Sequence, residues 1–388
     1  MSLLVVSAKD VAKIAATFEP QELTDLMAQV FHSLSKAEKS PGEASGIHQP
    51  HRISVPVTNH TGLFMPSRIE PFGTAIKVVS VPTSTAPPLV KEAGLPGTTL
   101  VLDETSGAVK AVVNARQLTA LRNAAGSLLA TRLLSIPDAK PRKLVAFGAG
   151  AQIAAHISLF LKHFSTITSC TIFNRSINTR LSTLASRLKA EAGSVNIDVS
   201  SLPKDTQDDA FRAAVREADL IITATSSTTP FFPSDYVKPG AHLCLIGSYT
   251  PKMYVQCHEM SSLHHSSTLN LVDRHEVDTD LVKRAGRVVV DSRAACLVEA
   301  GELITAGLRP FDLVEIGELL QPAVSADGSG SVWAAQDELV RKVQAAGDVT
   351  IFKSVGVGVQ DVAIASAVAR KAAQESIGTI VADYDELS

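Results

Sequence analysis

The chain has 388 residues, enough for two domains of ordinary size, and 45% hydrophobic against 19% charged residues supply a large buried core. Its net charge of -3 gives no electrostatic reason to expect nucleic acid, and no apolar run approaches the ~18 residues that a membrane span needs. Four cysteines, Cys170, Cys244, Cys257 and Cys296, lack disulfide or metal spacing and suit a reducing compartment.

Residues 1–10 are mildly apolar without a basic n-region or a small-residue cleavage site, so they do not read as a signal peptide. A cytoplasmic protein is expected. An amphipathic helix opens at Pro20 and runs to about residue 36, with Leu23, Leu26, Met27, Val30, Phe31 and Leu34 at helical spacing. Residues 37–51, rich in Gly, Ser, Pro and His, read as a loop. From 52 to 113 the pattern changes to short strands. One covers 74–81; two more, 98–102 and 108–113, form a hairpin around Asp103-Glu104-Thr105-Ser106-Gly107. Residues 117–134 return to helix, with Leu118, Leu121, Ala125, Leu128, Leu129 and Leu133 as its apolar stripe.

From 143 to about 247, strands at 143–147, 169–173, 195–200, 219–225 and 242–247 alternate with helices at 152–163, 177–190 and 207–217. That rhythm predicts an α/β fold with a doubly wound parallel sheet, extended by a further strand at 287–291. Residues 254–275 are polar and rich in His and Ser, and read as a surface excursion. A strand at 349–354 and a long Ala-rich helix at about 360–376 close the chain, with Gly356 and Gly358 at the helix entry.

Gly148-Ala149-Gly150-Ala151-Gln152 stands between the apolar run 143–147 and the helix that follows. Strand, glycine turn and helix present helix N-terminal N–H groups to a pyrophosphate; the bland alternative is a tight turn. One βα unit later, the second strand ends in Asn174-Arg175-Ser176. An acid there would hold the 2′-hydroxyl of NAD. Asn, Arg and Ser instead favour a 2′-phosphate, so NADP(H) is preferred and NAD(H) remains the other option; an ordinary solvated arginine is the alternative reading of Arg175.

The strand-rich part holds three cations in apolar or small surroundings: Arg52, Lys77 and Arg122. Burying a cation is expensive unless an anion pairs with it, and a guanidinium fork suits a carboxylate. Taken singly, each is also a candidate solvated or snorkelling side chain. Periodicity does not show whether they converge.

The sequence resembles the ornithine cyclodeaminase/mu-crystallin family over roughly residues 45–385. The resemblance rests on Arg52, Gly73-Thr74-Ala75-Ile76-Lys77, Leu118-Thr119-Ala120-Leu121-Arg122 with Ala124-Ala125, the glycine turn, and Asn174-Arg175-Ser176. It also rests on Val290-Asp291, Glu299-Ala300-Gly301-Glu302-Leu303, Phe352-Lys353-Ser354-Val355-Gly356 and Gln360-Asp361. It implies a discontinuous α+β substrate and dimerisation domain, 1–125 with 345–388, around a Rossmann domain at 126–344. It also implies a homodimer made through the N-terminal sheets and a small amino- or imino-acid substrate. By this resemblance Arg52, Lys77 and Arg122 bind the substrate carboxylate. Ser354, Val355 and Gly356 lie beside the nicotinamide. The remaining cofactor contacts are assigned to Gly148, Gly150, Ala151, Gln152, Asn174, Arg175, Ser176, Thr225, Ser226 and Gly247.

Two departures from the family pattern bear on the chemistry. Cyclodeaminases of the family carry an Asp in a Gly-x-Asp-x-Pro-like turn, where this chain reads Gly247-Ser248-Tyr249-Thr250-Pro251. Tyr249, with a reference pKa of about 10, is a poor base near neutral pH but is able to donate a proton or hydrogen bond. The excursion 254–275 is the second departure. Cys257, His258, His264, His265, Asp273 and His275 match no zinc spacing, so no metal is expected and a polar lid or oligomer loop is the better reading.

The function expected is NADP(H)-dependent reduction of a cyclic imino acid (a ketimine), or a related amino-acid dehydrogenation, with hydride transfer at the Cα–N bond and Lys77 and Tyr249 as catalytic candidates. Redox-neutral cyclodeamination of ornithine is the alternative within enzymes. A non-catalytic protein that retains NADPH or a small ligand is the alternative of another class. No nucleic acid or membrane partner is expected.

Overall fold

The computed structural model describes residues 2–39, 46–92, 94–135, 140–205, 207–247, 275–324 and 331–386. Tyr249, Cys257 and almost all of the 254–275 excursion lie outside them. The chain divides into two compact units, residues 1–122 with 357–388, and residues 123–356.

The first unit is a mixed sheet on a nearly all-buried helix. Its strands run in the spatial order Thr379–Val381, Leu3–Val6, Val109–Asn114, Gly97–Leu102, Gly73–Pro82, His60–Ile69 and Ile47–His48, with Ile53–Val57 also paired to His60–Ile69. All pairings are antiparallel except that of Leu3–Val6 with Val109–Asn114. The hairpin foreseen around Asp103 is present. The Asp103 carboxylate accepts the backbone N–H groups of Thr105 (3.1 Å) and Ser106 (3.0 Å), so the side chain closes the loop as a turn would. Along Gly73–Pro82, Gly73, Ala75, Lys77 and Val81 are buried, which is the period-two signature of one covered face. The cover is helix Gly358–Gln374, which packs on strands His60–Ile69, Gly73–Pro82 and Gly97–Leu102, and on helix Pro20–Lys39. Ala-rich and almost wholly buried from Val359 to Ala369, it fits between two layers there, and its C-terminal end carries the charged Arg370 and Lys371. Helix Ala8–Thr17 opens with a reciprocal cap between Ser7 and Asp10.

The main sheet of the second unit is all-parallel, in the order Asn196–Ser201, Ser169–Asn174, Lys143–Phe147, Leu220–Thr223, His242–Leu245, Thr350–Lys353, Val288–Val290 and Leu313–Glu315. Its inner strands Leu220–Thr223, His242–Leu245 and Val288–Val290 are buried along their whole length, as a parallel sheet covered on both faces requires, whereas the edge strand Asn196–Ser201 is largely polar and exposed. Phe147, fully buried, stacks on Phe173 (5.6 Å between centroids) and Phe231 (5.0 Å) in the core beneath the glycine turn. Sequence order reverses on either side of Lys143–Phe147, which makes the end of that strand the switch point where open α/β sheets bind ligands.

The expected boundary after residue 344 is corrected here. Thr350–Lys353 sits between His242–Leu245 and Val288–Val290, so the crossing into the first unit comes after Gly356. The strand Leu313–Glu315 and the antiparallel pair Leu320–Val324 with Ser331–Ala335 are further elements that no expectation covered. No described helix is long and apolar enough to cross a membrane.

Candidate functional site

In the second unit the glycine turn is built as a phosphate cradle requires. Gly148 has φ +116°, and a Cβ there would meet the Ala224 carbonyl oxygen at 3.1 Å, so no other residue fits without strain. Gly150 is the N-cap of helix Ala151–His163 and offers no side-chain cap, leaving the helix's first N–H groups to a ligand. The space beside Gly150 is open to 4 Å. Gln152 follows in the first turn, and its buried Oε1 has no hydrogen-bond partner among the described residues. The glycine turn and the N–H groups of the helix start fit the pyrophosphate of a dinucleotide, toward which Gln152 would have to turn its NH2 rather than its oxygen. Strand Ser169–Asn174 ends at Asn174, whose amide donates to the Ser176 carbonyl (2.9 Å) and shapes the turn; Arg175 and Ser176 are exposed there.

Thr225, Gly247, Ser354 and Gly356 are held by buried acids that the sequence reading did not assign a role. Glu276 is fully buried. Its Oε1 accepts the backbone N–H (2.6 Å) and hydroxyl (2.9 Å) of Thr225, and its Oε2 accepts the Thr223 hydroxyl (2.8 Å) and the Gly247 N–H (2.8 Å). A Cβ at residue 247 would lie 2.5 Å from the Glu276 carboxyl carbon and 2.5 Å from the Thr225 carbonyl oxygen, which explains the glycine. The Gly247 carbonyl accepts from Lys353 Nζ at 2.8 Å, and Lys353 is ion-paired with Glu302 at 2.6 Å, both side chains fully buried. Burial raises the Glu276 pKa and the nearby Glu302 adds to the rise, although Lys353 opposes it. Burial works against the Lys353 charge, but Glu302 and Glu276 outweigh it and raise its pKa. Asp291 Oδ2 accepts both the Ser354 hydroxyl (2.7 Å) and the Gly356 N–H (2.6 Å). Val355 between them is half-buried, and Ser226 is exposed.

In the first unit Lys77 and Arg122 meet on one acid. Lys77 comes from the covered face of strand Gly73–Pro82, Arg122 from the first turns of helix Leu118–Leu134, and Asp361 from the first turn of helix Gly358–Gln374. Lys77 Nζ donates to Asp361 Oδ2, and Arg122 Nε donates to Asp361 Oδ1 at 3.3 Å. Arg122 Nη1 donates to Gln360 Oε1 at 2.8 Å, and the same oxygen accepts the Val357 N–H at 3.1 Å. Lys77, Arg122 and Asp361 are all buried, with 6%, 4% and 4% of their surface exposed, so their charges act on each other with little screening. Burial lowers the Lys77 pKa; Asp361 opposes that shift, while Arg122 and Arg52 reinforce it. Burial disfavours the Asp361 charge, yet Lys77 and Arg122 outweigh it and hold that carboxyl below its ordinary value. Arg52 is half-buried and acts on Lys77 through space. The structure therefore brings Lys77 and Arg122 together and supplies one anion for them internally. Both cations thus share the Asp361 carboxylate.

Thr99 joins this cluster as a residue the sequence reading passed over. It pairs across the sheet with Lys77, is 1% exposed, and its hydroxyl has no hydrogen-bond partner among the described residues. Nothing local distinguishes Thr99 from other strand threonines. Asp361 did carry a signal, as an acid at the head of the apolar run Val362–Ala365. Among the described residues no group of three or more His, Cys, Asp or Glu side chains is placed to hold a metal.

These features define an α/β protein with a Rossmann-type dinucleotide fold and a separate α+β unit bearing a buried cationic cluster. The chain belongs to the ornithine cyclodeaminase/mu-crystallin family, whose model matches residues 7–259. It is 30% identical over 341 residues to the ketimine reductase mu-crystallin of Macropus fuliginosus, covering 86% of this chain and 88% of that protein. It is 27% identical over 339 residues to a Delta(1)-pyrroline-2-carboxylate reductase of Bacillus cereus, covering 85% and 87%. Its fold is shared by the Thermococcus litoralis Delta(1)-pyrroline-2-carboxylate reductase solved with NADH and L-proline, with TM-score 0.70 and 22% identity over 97% of this chain and 99% of that one.

Proposed function

We propose that this protein is an NADP(H)-dependent reductase of a cyclic imino acid, or a closely related amino-acid dehydrogenase, working at the Cα–N bond. The carrying observation is the buried Lys77–Arg122–Asp361 cluster, which places an ammonium and a guanidinium fork side by side, the donor set that suits a substrate carboxylate. The names of the relatives support the choice of an imine carboxylate as substrate.

A nicotinamide dinucleotide, when bound, supplies the hydride. Gly148, Gly150, Ala151 and Gln152 would hold its pyrophosphate, Asn174, Arg175 and Ser176 its adenosine end, and Thr225, Ser226, Gly247, Ser354, Val355 and Gly356 its nicotinamide end. Lys77, Arg122 and Arg52 hold the substrate carboxylate, with the Thr99 hydroxyl as a further donor. Reduction of a neutral imine also requires a proton at nitrogen. The Lys77 ammonium, with its pKa lowered by burial, is a suitable source. Tyr249 stays a second candidate by sequence and lies outside the described residues.

The NADP(H) preference is supported by the exposed Arg175 at the end of strand Ser169–Asn174, with no acid beside it. A homodimer is supported by the exposed apolar face of the outlying hairpin. Ile53, Val55 and Val57 alternate along one strand with 59%, 43% and 54% of their surfaces exposed, and Phe64 stands opposite Ile53. The buried free thiols of Cys170, Cys244 and Cys296 support a reducing, cytoplasmic setting.

The test is NADPH oxidation with pyrroline-2-carboxylate and piperideine-2-carboxylate, run beside proline and ammonia formation from ornithine. Turnover of a cyclic ketimine with little ammonia is expected. Robust ammonia release from ornithine without net cofactor change would establish cyclodeamination instead. Tight NADPH binding with no turnover on any of these substrates would establish a binding protein.

A further inference from the structure

We infer that Asp361 is a positioning residue which fixes the charge of the carboxylate site, holding Lys77 and Arg122 in register and keeping Lys77 an ammonium while the site is empty. This rests on the reading of Lys77 and Arg122 as carboxylate ligands given above.

The geometry carries the inference. Each oxygen of Asp361 takes one cation: Oδ2 from Lys77, Oδ1 from Arg122. The carboxylate therefore sets the separation of two flexible side chains that come from different elements. Asp361 itself has little freedom. It sits in the first turn of helix Gly358–Gln374, where the helix dipole favours a negative charge. That turn is pinned on both sides: Gln360 Oε1 accepts the Val357 N–H (3.1 Å) and Gln49 Oε1 accepts the Val359 N–H (3.0 Å). The helix is thereby a rigid mount, and Asp361 transmits its position to the two cations.

The electrostatics point the same way. The charged groups acting on Lys77 are Asp361 from the helix, Arg122 from helix Leu118–Leu134, and Arg52 ahead of strand Ile53–Val57. Its neighbours across the sheet, Met65 and Thr99, carry no charge. Burial, Arg122 and Arg52 all favour the neutral amine; Asp361 alone among these groups favours the ammonium. Without it, Lys77 loses its proton at a lower pH, and the site then offers one fewer charged donor. An ammonium has three N–H donors, so the bond to Asp361 leaves two to face a substrate carboxylate. Asp361 thus keeps Lys77 charged without filling its capacity.

Asp361→Asn and Asp361→Glu test this in two ways. The first is NMR titration of the protein with 13Cε-labelled lysine, with Lys77 assigned from Lys77→Arg. It needs no substrate and so stands apart from the proposed activity. The Lys77 midpoint is expected to fall in Asp361→Asn and to return toward wild type in Asp361→Glu. An unchanged midpoint in Asp361→Asn overturns the inference. The second is KM for a cyclic ketimine carboxylate between pH 6 and 9. In Asp361→Asn it is expected to climb by about tenfold per pH unit above the lowered midpoint, because the ammonium fraction falls by that factor; kcat should move less. A KM that tracks wild type across this range also overturns it. If the wild-type protein reduces no ketimine, the functional reading fails while the titration still decides the role of Asp361. If Asp361→Asn does not fold, the double variant Asp361→Asn/Lys77→Met removes one cation together with the anion. Recovery of folded protein then supports charge balance as the role, and failure of both variants assigns Asp361 to packing and overturns the inference.

Discussion

Lys77 and Asp361 lie 284 positions apart in the chain and form a buried ion pair. Arg122 joins the same carboxylate, so removing either cation does two things at once. It deletes a proposed ligand for the substrate and leaves Asp361 less compensated. A hydrogen bond to a charged group contributes about 1.5–3 kcal/mol, which is roughly ten- to over a hundredfold in affinity. Lys77→Ala and Arg122→Ala are therefore expected to lose turnover on a ketimine carboxylate by at least that factor. The glycine turn and Arg175 belong to the other compact unit, so NADPH affinity should stay within about threefold of wild type. Full activity in either variant would mean that the carboxylate site has been misplaced.

NADPH is expected to bind more tightly than NADH, because strand Ser169–Asn174 ends in Asn174, Arg175 and Ser176 rather than in an acid. A charged contact from Arg175 to a 2′-phosphate, partly screened by water, accounts for about tenfold. Arg175→Ala should erase most of that difference and leave NADH affinity almost unchanged. Fluorescence titration of the two reduced cofactors measures both quantities. Equal affinities in the wild-type protein would remove the case for a phosphate site.

Much of the second unit is legible in its sequence, since each βα repeat carries a local signal: a short apolar run, a turn, an amphipathic helix. The glycine turn belongs to this class, because φ +116° at Gly148 leaves a mark in the residue type itself. Strand order is another matter. Thr350–Lys353 inserts between strands that precede it by about a hundred and by about sixty residues, and no local pattern states which neighbours a parallel strand will choose. The boundary expected after residue 344 slipped for that reason. The carboxylate cluster was half legible. Buried cations at Lys77 and Arg122 announced that an anion was needed, and the need was assigned wholly to substrate. The structure supplies an anion within the chain, Asp361, whose partnership spans most of the chain and leaves no periodicity behind. Helix Ala8–Thr17, which no expectation covered, has a readable start in the capping pair Ser7 and Asp10.

Glu276 should not tolerate glutamine. Its Oε1 faces the Thr225 N–H and its Oε2 faces the Gly247 N–H, so both positions must accept. Glutamine has one accepting oxygen, and its NH2 would oppose the second backbone donor. A buried donor left unpaired costs about 1–3 kcal/mol, and for a unit of this size that lowers Tm by roughly 2–12 °C. Because Thr225 and Gly247 line the proposed nicotinamide end, NADPH affinity should fall as well. Calorimetry with and without NADPH separates the two effects. A Glu276→Gln protein with unchanged Tm and unchanged affinity would show that the two loops are held by something else.

The buried histidines give the folded protein an acid limit that its carboxylates do not account for. His156 bridges the Gln152 carbonyl (2.7 Å, Nδ1) and the Ser127 hydroxyl (2.9 Å, Nε2), and burial pushes its pKa down to about 4. His242 contacts the Thr350 hydroxyl (2.8 Å) and burial pushes its pKa down to about 3. Both are neutral in the folded chain, whereas unfolded histidine protonates near pH 6.5. Below pH 6.5 the unfolded chain therefore binds protons that the folded chain does not, and stability falls as pH falls. The slope is up to about 1.4 kcal/mol per pH unit for each histidine. For His156 the loss is complete near pH 4 and amounts to roughly 3 kcal/mol; for His242 it continues to about pH 3. Acids with lowered pKa values, Asp361 among them, add loss of the same sign at lower pH. Comparison with His156→Gln and His242→Gln isolates the histidine part. Urea unfolding at pH 7.5, 6.5, 5.5 and 4.5 should show a shallower decline in each variant than in wild type, whatever the absolute stability. Parallel curves for all three proteins would mean that neither imidazole is buried neutral in the folded state.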